Sequence, residues 1–283
     1  MTVAHSLSLH HLTMSTAHPL ELVDAAAAGG FEFCGMRLTA PTPEELVADV
    51  AGDEPLIRML ERRLDDTGVR LLDMETARLL PATDVGSLAP ALETGSRLGA
   101  RYVVASGPDP DRARLTDNLS QLCATAAGLG MSVAFEFHSC YAINTIARAL
   151  ELIAACRAEN LVLLVDVLHL FRSGGGASDL ARVDPRLLHY AQVCDAVHEA
   201  PTTVDGLRAE ARTDRRLLGE GELPVAAVLA ALPPGIPYSV ETPTKALRAL
   251  PHRDQARIVA NTTRQFLERL PPHPMTVETP ETR

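Results

Sequence analysis

The run Leu161-Val-Leu-Leu-Val-Asp166 is five aliphatic residues closed by an acid. It is too short for an ordinary helix and is bounded by polar residues, so it reads as a buried parallel strand. Three further runs end the same way: Val133-Ala-Phe-Glu136-Phe, His189-Tyr-Ala-Gln192 and Tyr238-Ser-Val-Glu241. Helix-like stretches separate them, as in successive βα units. Each acid or amide stands at or near the C-terminal end of its run, where a β/α barrel keeps its active site. Four side-chain oxygens converging there describe a site for a divalent ion.

Four more strand candidates precede these: Ser6–His10, Phe31–Arg37, Val69–Glu75 and Tyr102–Ser106. Between them lie helical spacings with glycine stops. Glu21–Ala28 runs into Gly29-Gly30, Leu56–Leu64 into Thr67-Gly68, and Leu115–Ala127 into Gly128 and Gly130. Eight strands alternating with helices over 283 residues predict an α/β fold, a (β/α)8 TIM barrel. A doubly wound open sheet is the runner-up, but it more often opens with a glycine-rich phosphate loop, which is missing here. One domain is expected over residues 1–270, followed by a disordered tail at 271–283. The long connection from Val197 to about Leu218 follows the seventh strand. It reads either as a lid over the barrel mouth or as a solvated insertion on its rim.

With 46% hydrophobic residues the chain can bury a large core. No apolar run is long enough to span a membrane, and the N-terminus lacks the marks of a secretory signal. A net charge of −10 argues against a nucleic-acid surface. Five cysteines without C-x-x-C spacing read as buried thiols in a reduced cytoplasm. Association into a homo-oligomer is compatible with this composition.

Burying the carboxylates of Glu136, Asp166 and Glu241 together without a cation is costly, so a doubly charged ion is the natural compensation. With the amide of Gln192 these are hard ligands. They favour Mn²⁺ or Mg²⁺, with Co²⁺ or Zn²⁺ also able to bind. His169 follows Asp166 by three residues, and just past a strand end that offset aims both side chains into one cavity. Its expected role is a hydrogen bond to a substrate oxygen. The run Gly174-Gly-Gly176 lacks the lysine of a phosphate loop and reads as a turn. Arg37, Arg78, Arg172 and Arg216 follow or close strands, where guanidinium groups suit a carboxylate or phosphate. The same arginines also suit rim salt bridges. A small, polar, anionic substrate is favoured, with no nucleic-acid or membrane partner.

On these residues the sequence resembles the xylose-isomerase-like TIM-barrel superfamily, the sugar phosphate isomerase/epimerase group that shares its fold with AP-endonuclease family 2. In that family Glu, Asp, His or Gln, and Glu at the ends of strands five to eight bind one divalent metal. Glu136, Asp166, Gln192 and Glu241 match those positions, and Asp166-Val-Leu-His169 matches an Asp-x-x-His element. Arg216-Leu-Leu-Gly219-Glu-Gly221 matches an Arg placed shortly before Gly-x-Gly. The zinc-dependent endonuclease members carry additional histidines. This chain has Glu75 and Ser106 near two of those places and no Asp-x-His, so DNA repair is remote. Gln192 resembles hydroxypyruvate isomerases and 3-dehydroshikimate dehydratases and leaves the reaction class open.

The resemblance implies a metal-dependent sugar (phosphate) isomerase or epimerase working by proton abstraction next to a carbonyl through an enediolate. Glu136 and Glu241 would act as proton carriers on opposite faces, with His169, Arg216 and Glu75 among the substrate contacts. A lyase of the 3-dehydroshikimate dehydratase type shares the first step and then expels a β-hydroxyl. A barrel that keeps the pocket only to bind is the third class.

Overall fold

The computed structural model of the chain describes residues 5–39 and 48–271. Most of the tail expected at 271–283 lies outside the described residues. Eight strands run in chain order around a closed, all-parallel barrel. They are β1 (Leu7–Leu9), β2 (Phe33–Arg37), β3 (Arg70–Arg78), β4 (Tyr102–Ser106), β5 (Ser132–Glu136), β6 (Leu161–Asp166), β7 (Ala191–Val193) and β8 (Tyr238–Val240). β8 closes on β1 with Leu7 beside Tyr238 and Leu9 beside Val240. The predicted (β/α)8 barrel is therefore the fold, and the open sheet is excluded by that closing pair.

Around the barrel lie α1 (Pro19–Gly29), α2 (Glu54–Thr67), α3 (Ala89–Arg97), α4 (Arg112–Gly128) and α5 (Ile146–Cys156). They are followed by the short α6 (Val167–Arg172) and α7 (Ala177–Leu180), then α8 (Val204–Thr213), α9 (Val225–Ala231) and α10 (His252–Glu268). The glycine stops act as expected at α1 and α2, where Gly30 and Gly68 take left-handed φ of 66° and 71° and donate back to the last turn. No described helix is long and apolar enough to cross a membrane. The connection from Val197 to Leu218 carries α8, so it is not a bare loop.

Side-chain alternation separates two buried layers. Val103, Ala105, Val133, Phe135, Leu163, Val165 and Val193 face outward into the main core with the helices. Phe33, Leu72, Val104, Ala134, Val162, Leu164 and Tyr190 fill the barrel interior as a separate cluster. Ser106, Glu136, Asp166 and Gln192 each stand two residues beyond an interior residue. The period of two therefore sets them on the same inner face, one layer nearer the C-terminal mouth.

β3 interrupts this alternation. Its register against β2 steps from Cys34–Leu71 to Gly35–Asp73, leaving Leu72 as the extra residue of a bulge. The bulge turns Asp73 and Glu75 inward, against Gly35. A Cβ at Gly35 would collide with Asp73 Oδ1 and stand 3.0 Å from Glu75 Oε1, so a residue without a side chain is needed there.

Candidate active site

The four residues picked from strand ends come together. Glu136, Asp166 and Glu241 each offer a carboxylate oxygen, and these oxygens lie within 4.8 Å of one another. Gln192 is the register partner of Asp166 on β6. It sits mid-strand because β7, which starts at Ala191, runs one residue past it to Val193. Glu241 follows β8 directly and is held by Thr13. That hydroxyl donates to Val240 O and accepts from Thr242 N, both at 2.9 Å, on either side of the glutamate.

Asp166 works twice. Its Oδ1 caps α6, accepting from Leu168 N at 2.6 Å and His169 N at 3.3 Å, which is why an acid at a strand end begins a helix here. Its Oδ2 accepts from Arg215 Nη1 at 2.7 Å. Burial works to raise its pKa, but the Arg215 guanidinium outweighs it and holds the group at about 2. Glu241 Oε1 accepts from Arg215 Nη2 at 2.9 Å. Burial, with Asp166 and Glu136 as neighbours, still raises Glu241 well above the usual carboxylate range against the pull of Arg215.

Glu136 faces two imidazoles. His138 Nε2 lies 3.2 Å from its Oε2, and His169 Nε2 lies 3.9 Å from its Oε1. The rings of His138 and His169 pack at 4.2 Å, and Tyr141 stacks on His138 at 4.6 Å. Ser139 Oγ approaches the other nitrogen of His169, Nδ1, at 3.2 Å and fixes the ring plane. Burial first, then His138, keeps His169 neutral by lowering its pKa well below the usual value.

On the opposite side, His10 directly follows β1 and bridges to Glu75. Its Nδ1 lies 3.2 Å from Glu75 Oε1, and its Nε2 lies 3.1 Å from Gln192 Nε2 and 3.7 Å from Glu241 Oε2. Arg37 Nε is 3.6 Å from Glu75 Oε2. His11 donates its backbone N–H to Glu75 Oε1 at 2.9 Å. Its own ring is used structurally, between Arg37 N and Ala17 O, and burial lowers its pKa to about 4. Burial raises Glu75 to about 7 in spite of Arg37.

The donor set fits a divalent ion. Gln192 Oε1 and Glu241 Oε2 are buried without a hydrogen-bond partner among the described residues, beside three clustered carboxylates. Oxygen atoms left over inside a protein call for a cation or ordered water, and an all-oxygen set suits a hard cation.

Two expected substrate contacts lie elsewhere. Arg172 turns away from the mouth: it makes a bidentate pair with Glu210 of α8 at 2.8 and 2.6 Å and donates to Val197 O and His198 O. With four of its five N–H groups engaged in this way, the guanidinium fixes α8 to the barrel rather than serving a substrate. Arg216 is exposed and lines an outer cavity of about 230 Å³ with Glu199, Asp214 and Lys245. Its backbone pairs with Asp195, a bridge that turns the side chain of its neighbour Arg215, not its own, into the site. Arg37 and Glu75 do reach the mouth, while Arg78 packs beside Tyr141 and Cys140.

Reading the sequence missed Arg215, His10, His138 and Asp73. His138 carried a usable signal, since it stands two residues after Glu136 on the same face. His10 carried one as well, being polar at a strand's C-terminal end. Arg215 stands before the same Gly219-Glu-Gly221 as Arg216, so the motif pointed equally to both, and only the path of the connection in the fold separates them.

The family model described as Xylose isomerase-like TIM barrel matches residues 23–266. Among solved structures, the zinc-bound IolI protein is 19% identical with a TM-score of 0.78, covering 94% of this chain and 99% of its own. D-allulose 3-epimerase from Methylomonas sp. is 18% identical with a TM-score of 0.70 over 96% and 99% of the two chains. The probable 3-DHS dehydratase AsbF from Bacillus anthracis is 15% identical with a TM-score of 0.69 over 90% and 99%. At such identities these likenesses show the fold. No curated protein matches the sequence.

Proposed function

Because the chain belongs to the xylose isomerase-like TIM-barrel family, we propose that it is a metal-dependent enzyme that removes a proton next to a carbonyl. Its substrate is a small, polar molecule, a sugar or, by preference for an anion, a sugar phosphate, and the reaction is isomerisation or epimerisation. The observation that carries this reading is the three-carboxylate cluster with the unpartnered oxygens of Gln192 and Glu241 beside it. Glu136, Asp166, Gln192 and Glu241 would hold one ion, Mn²⁺ or Mg²⁺ by their oxygen chemistry. When bound, the ion supplies Lewis-acid polarisation of the carbonyl and stabilises the negative charge left by proton removal.

The chain's own groups divide the remaining work. Glu136 is the base, because His138 Nε2 stands 3.2 Å from its second oxygen and can pass the proton on. Glu241 faces it across the cluster, with one oxygen held by Arg215 and the other uncommitted, and serves as the second proton carrier. Neutral His169 turns its Nε2 toward Glu136 and orients a substrate oxygen. Arg37 and Glu75 receive the far end of the substrate, where a guanidinium beside a half-protonated acid suits an anionic or hydroxyl group.

A dehydratase is the second reading, favoured by one observation. The paired imidazoles of His138 and His169 stand beside Glu136, where an acid for a leaving hydroxyl would be needed.

The test is a Mn²⁺-supplemented screen of keto-sugars, their phosphates, hydroxypyruvate and 3-dehydroshikimate in D₂O. Exchange of a substrate C–H for deuterium that EDTA abolishes is expected. Exchange unaffected by EDTA would refute the metal role. Exchange always accompanied by an ultraviolet-absorbing unsaturated product would assign the lyase reading.

A further inference from the structure

Arg215 enters the site along a path that does not allow it to swing out. Its backbone N–H donates to Pro243 O at 3.1 Å, just beyond β8. Its Nε donates to Ala211 O at 2.8 Å, in the last turn of α8. The adjacent residue is locked to Asp195 by a two-way backbone bridge, Asp195 N to Arg216 O at 3.0 Å and Arg216 N to Asp195 O at 2.8 Å. Asp195 in turn accepts from Gly219 N and Leu223 N at 3.1 Å, tying down the segment that follows. The guanidinium at the end of this frame is 1% exposed. It contacts one oxygen each of Asp166 and Glu241 and, at 3.5 Å, the sulfur of Cys194.

The division of oxygens is selective. Arg215 takes Oδ2 of Asp166 and Oε1 of Glu241, and Oδ1 of Asp166 is occupied as the cap of α6. Among the described residues, Glu241 Oε2 and Gln192 Oε1 are left without a hydrogen-bond partner. With all three ionised, as metal ligation requires, the carboxylates and the guanidinium carry a net charge of two negative, which one divalent ion cancels.

Resting on the metal-site reading above, we infer that Arg215 is the site's built-in countercharge. It is a positioning residue that holds Asp166 and Glu241 in ligand geometry while no ion is bound, and it limits the loaded site to a single divalent ion. Without it, ionising the cluster would set three negative charges against one another in a dry interior, and its ligands would repel. An ion can then enter a site already assembled, because arginine and ion use different oxygens of Glu241.

The experiment compares wild type, Arg215→Gln, Arg215→Lys and the pair Arg215→Gln/Glu241→Gln, each melted in EDTA and in Mn²⁺, with bound manganese measured by elemental analysis. Removing one partner of a buried ion pair leaves a bare charge, so Arg215→Gln in EDTA is expected to melt about 10 °C below wild type. Its Mn²⁺-induced rise is expected to be at least about twice that of wild type, because the ion now supplies the missing countercharge. Arg215→Lys should recover part of the loss through its charge. The double variant should melt above Arg215→Gln in EDTA, since it removes the uncompensated carboxylate as well.

A Mn²⁺-induced rise no larger than that of wild type would overturn the inference. So would a double variant no more stable than the single one, or two manganese ions per wild-type chain. If Arg215→Gln is insoluble in both media, a soluble double variant supports the inference and an insoluble one overturns it. A wild type whose melting ignores Mn²⁺ refutes the metal-site reading separately, while the EDTA comparison still decides whether Arg215 compensates the carboxylates.

Discussion

Replacing Asp73 by asparagine is expected to stabilise the protein, and the gain should grow as the pH rises. Asp73 is 0% exposed, and among the described residues its oxygens make no hydrogen bond of ordinary geometry, although the Tyr190 hydroxyl lies beside them. Burial raises its pKa well above 3.8, and the Glu75 carboxylate two residues on raises it further, with the Tyr190 hydroxyl pulling the other way. The folded protein therefore keeps a proton that the unfolded chain releases near pH 3.8. The stability tied to that proton is complete below pH 3.8 and is lost as the pH rises toward the folded-state value. Within that window the loss is about 1.4 kcal/mol per pH unit. Asparagine has the same shape and no proton to lose. As the pH rises above 3.8 the difference between variant and wild type should thus widen, by up to about 1.4 kcal/mol per pH unit, roughly 3–5 °C in Tm for a chain of this size. Unfolding in EDTA, followed by circular dichroism at half-unit steps of pH, measures it. A difference that stays constant within about 0.4 kcal/mol, or that narrows, would mean the carboxyl is ionised in the fold and the reasoning is wrong.

Three further outcomes follow from the site. Asp166→Asn and Glu241→Gln should lose turnover and bound manganese together, whereas His169→Ala should keep the metal and lose kcat. Full activity with normal metal content in Glu241→Gln would undo the ligand assignment. His138→Gln should slow C–H exchange by about 10²–10⁴-fold, the usual worth of a positioned proton carrier, with metal content unchanged. Glu75→Gln should flatten the decline in stability between pH 4.5 and 7, because the wild-type carboxyl, raised by burial to about 7, sheds its proton over that window only in the unfolded chain. Parallel stability profiles for variant and wild type would place the Glu75 carboxyl in the ordinary range.

The barrel and its four strand-end oxygens were legible because both depend on short-range periodicity. A buried parallel strand is a short aliphatic run, and alternation with period two sends Glu136 to the face of Ala134 and Asp166 to the face of Leu164 whatever the rest of the chain does. The helix stops at Gly30 and Gly68 were legible for the same reason, since a left-handed cap is a local event. What the period could not convey was where the pattern breaks or folds back. The bulge at Leu72 turned Asp73 inward through a register step between two strands, which neither strand encodes alone. Arg172 and Arg216 looked equivalent to any other arginine after a strand. A bidentate pair with Glu210 thirty-eight residues away removed the first from the mouth, and a backbone bridge to Asp195 turned the second outward and Arg215 inward. Strand periodicity is set by covalent geometry and travels with the sequence. Which guanidinium meets Asp166 and Glu241 is set by distances across the closed barrel, and these exist only once its eighth strand has paired with its first.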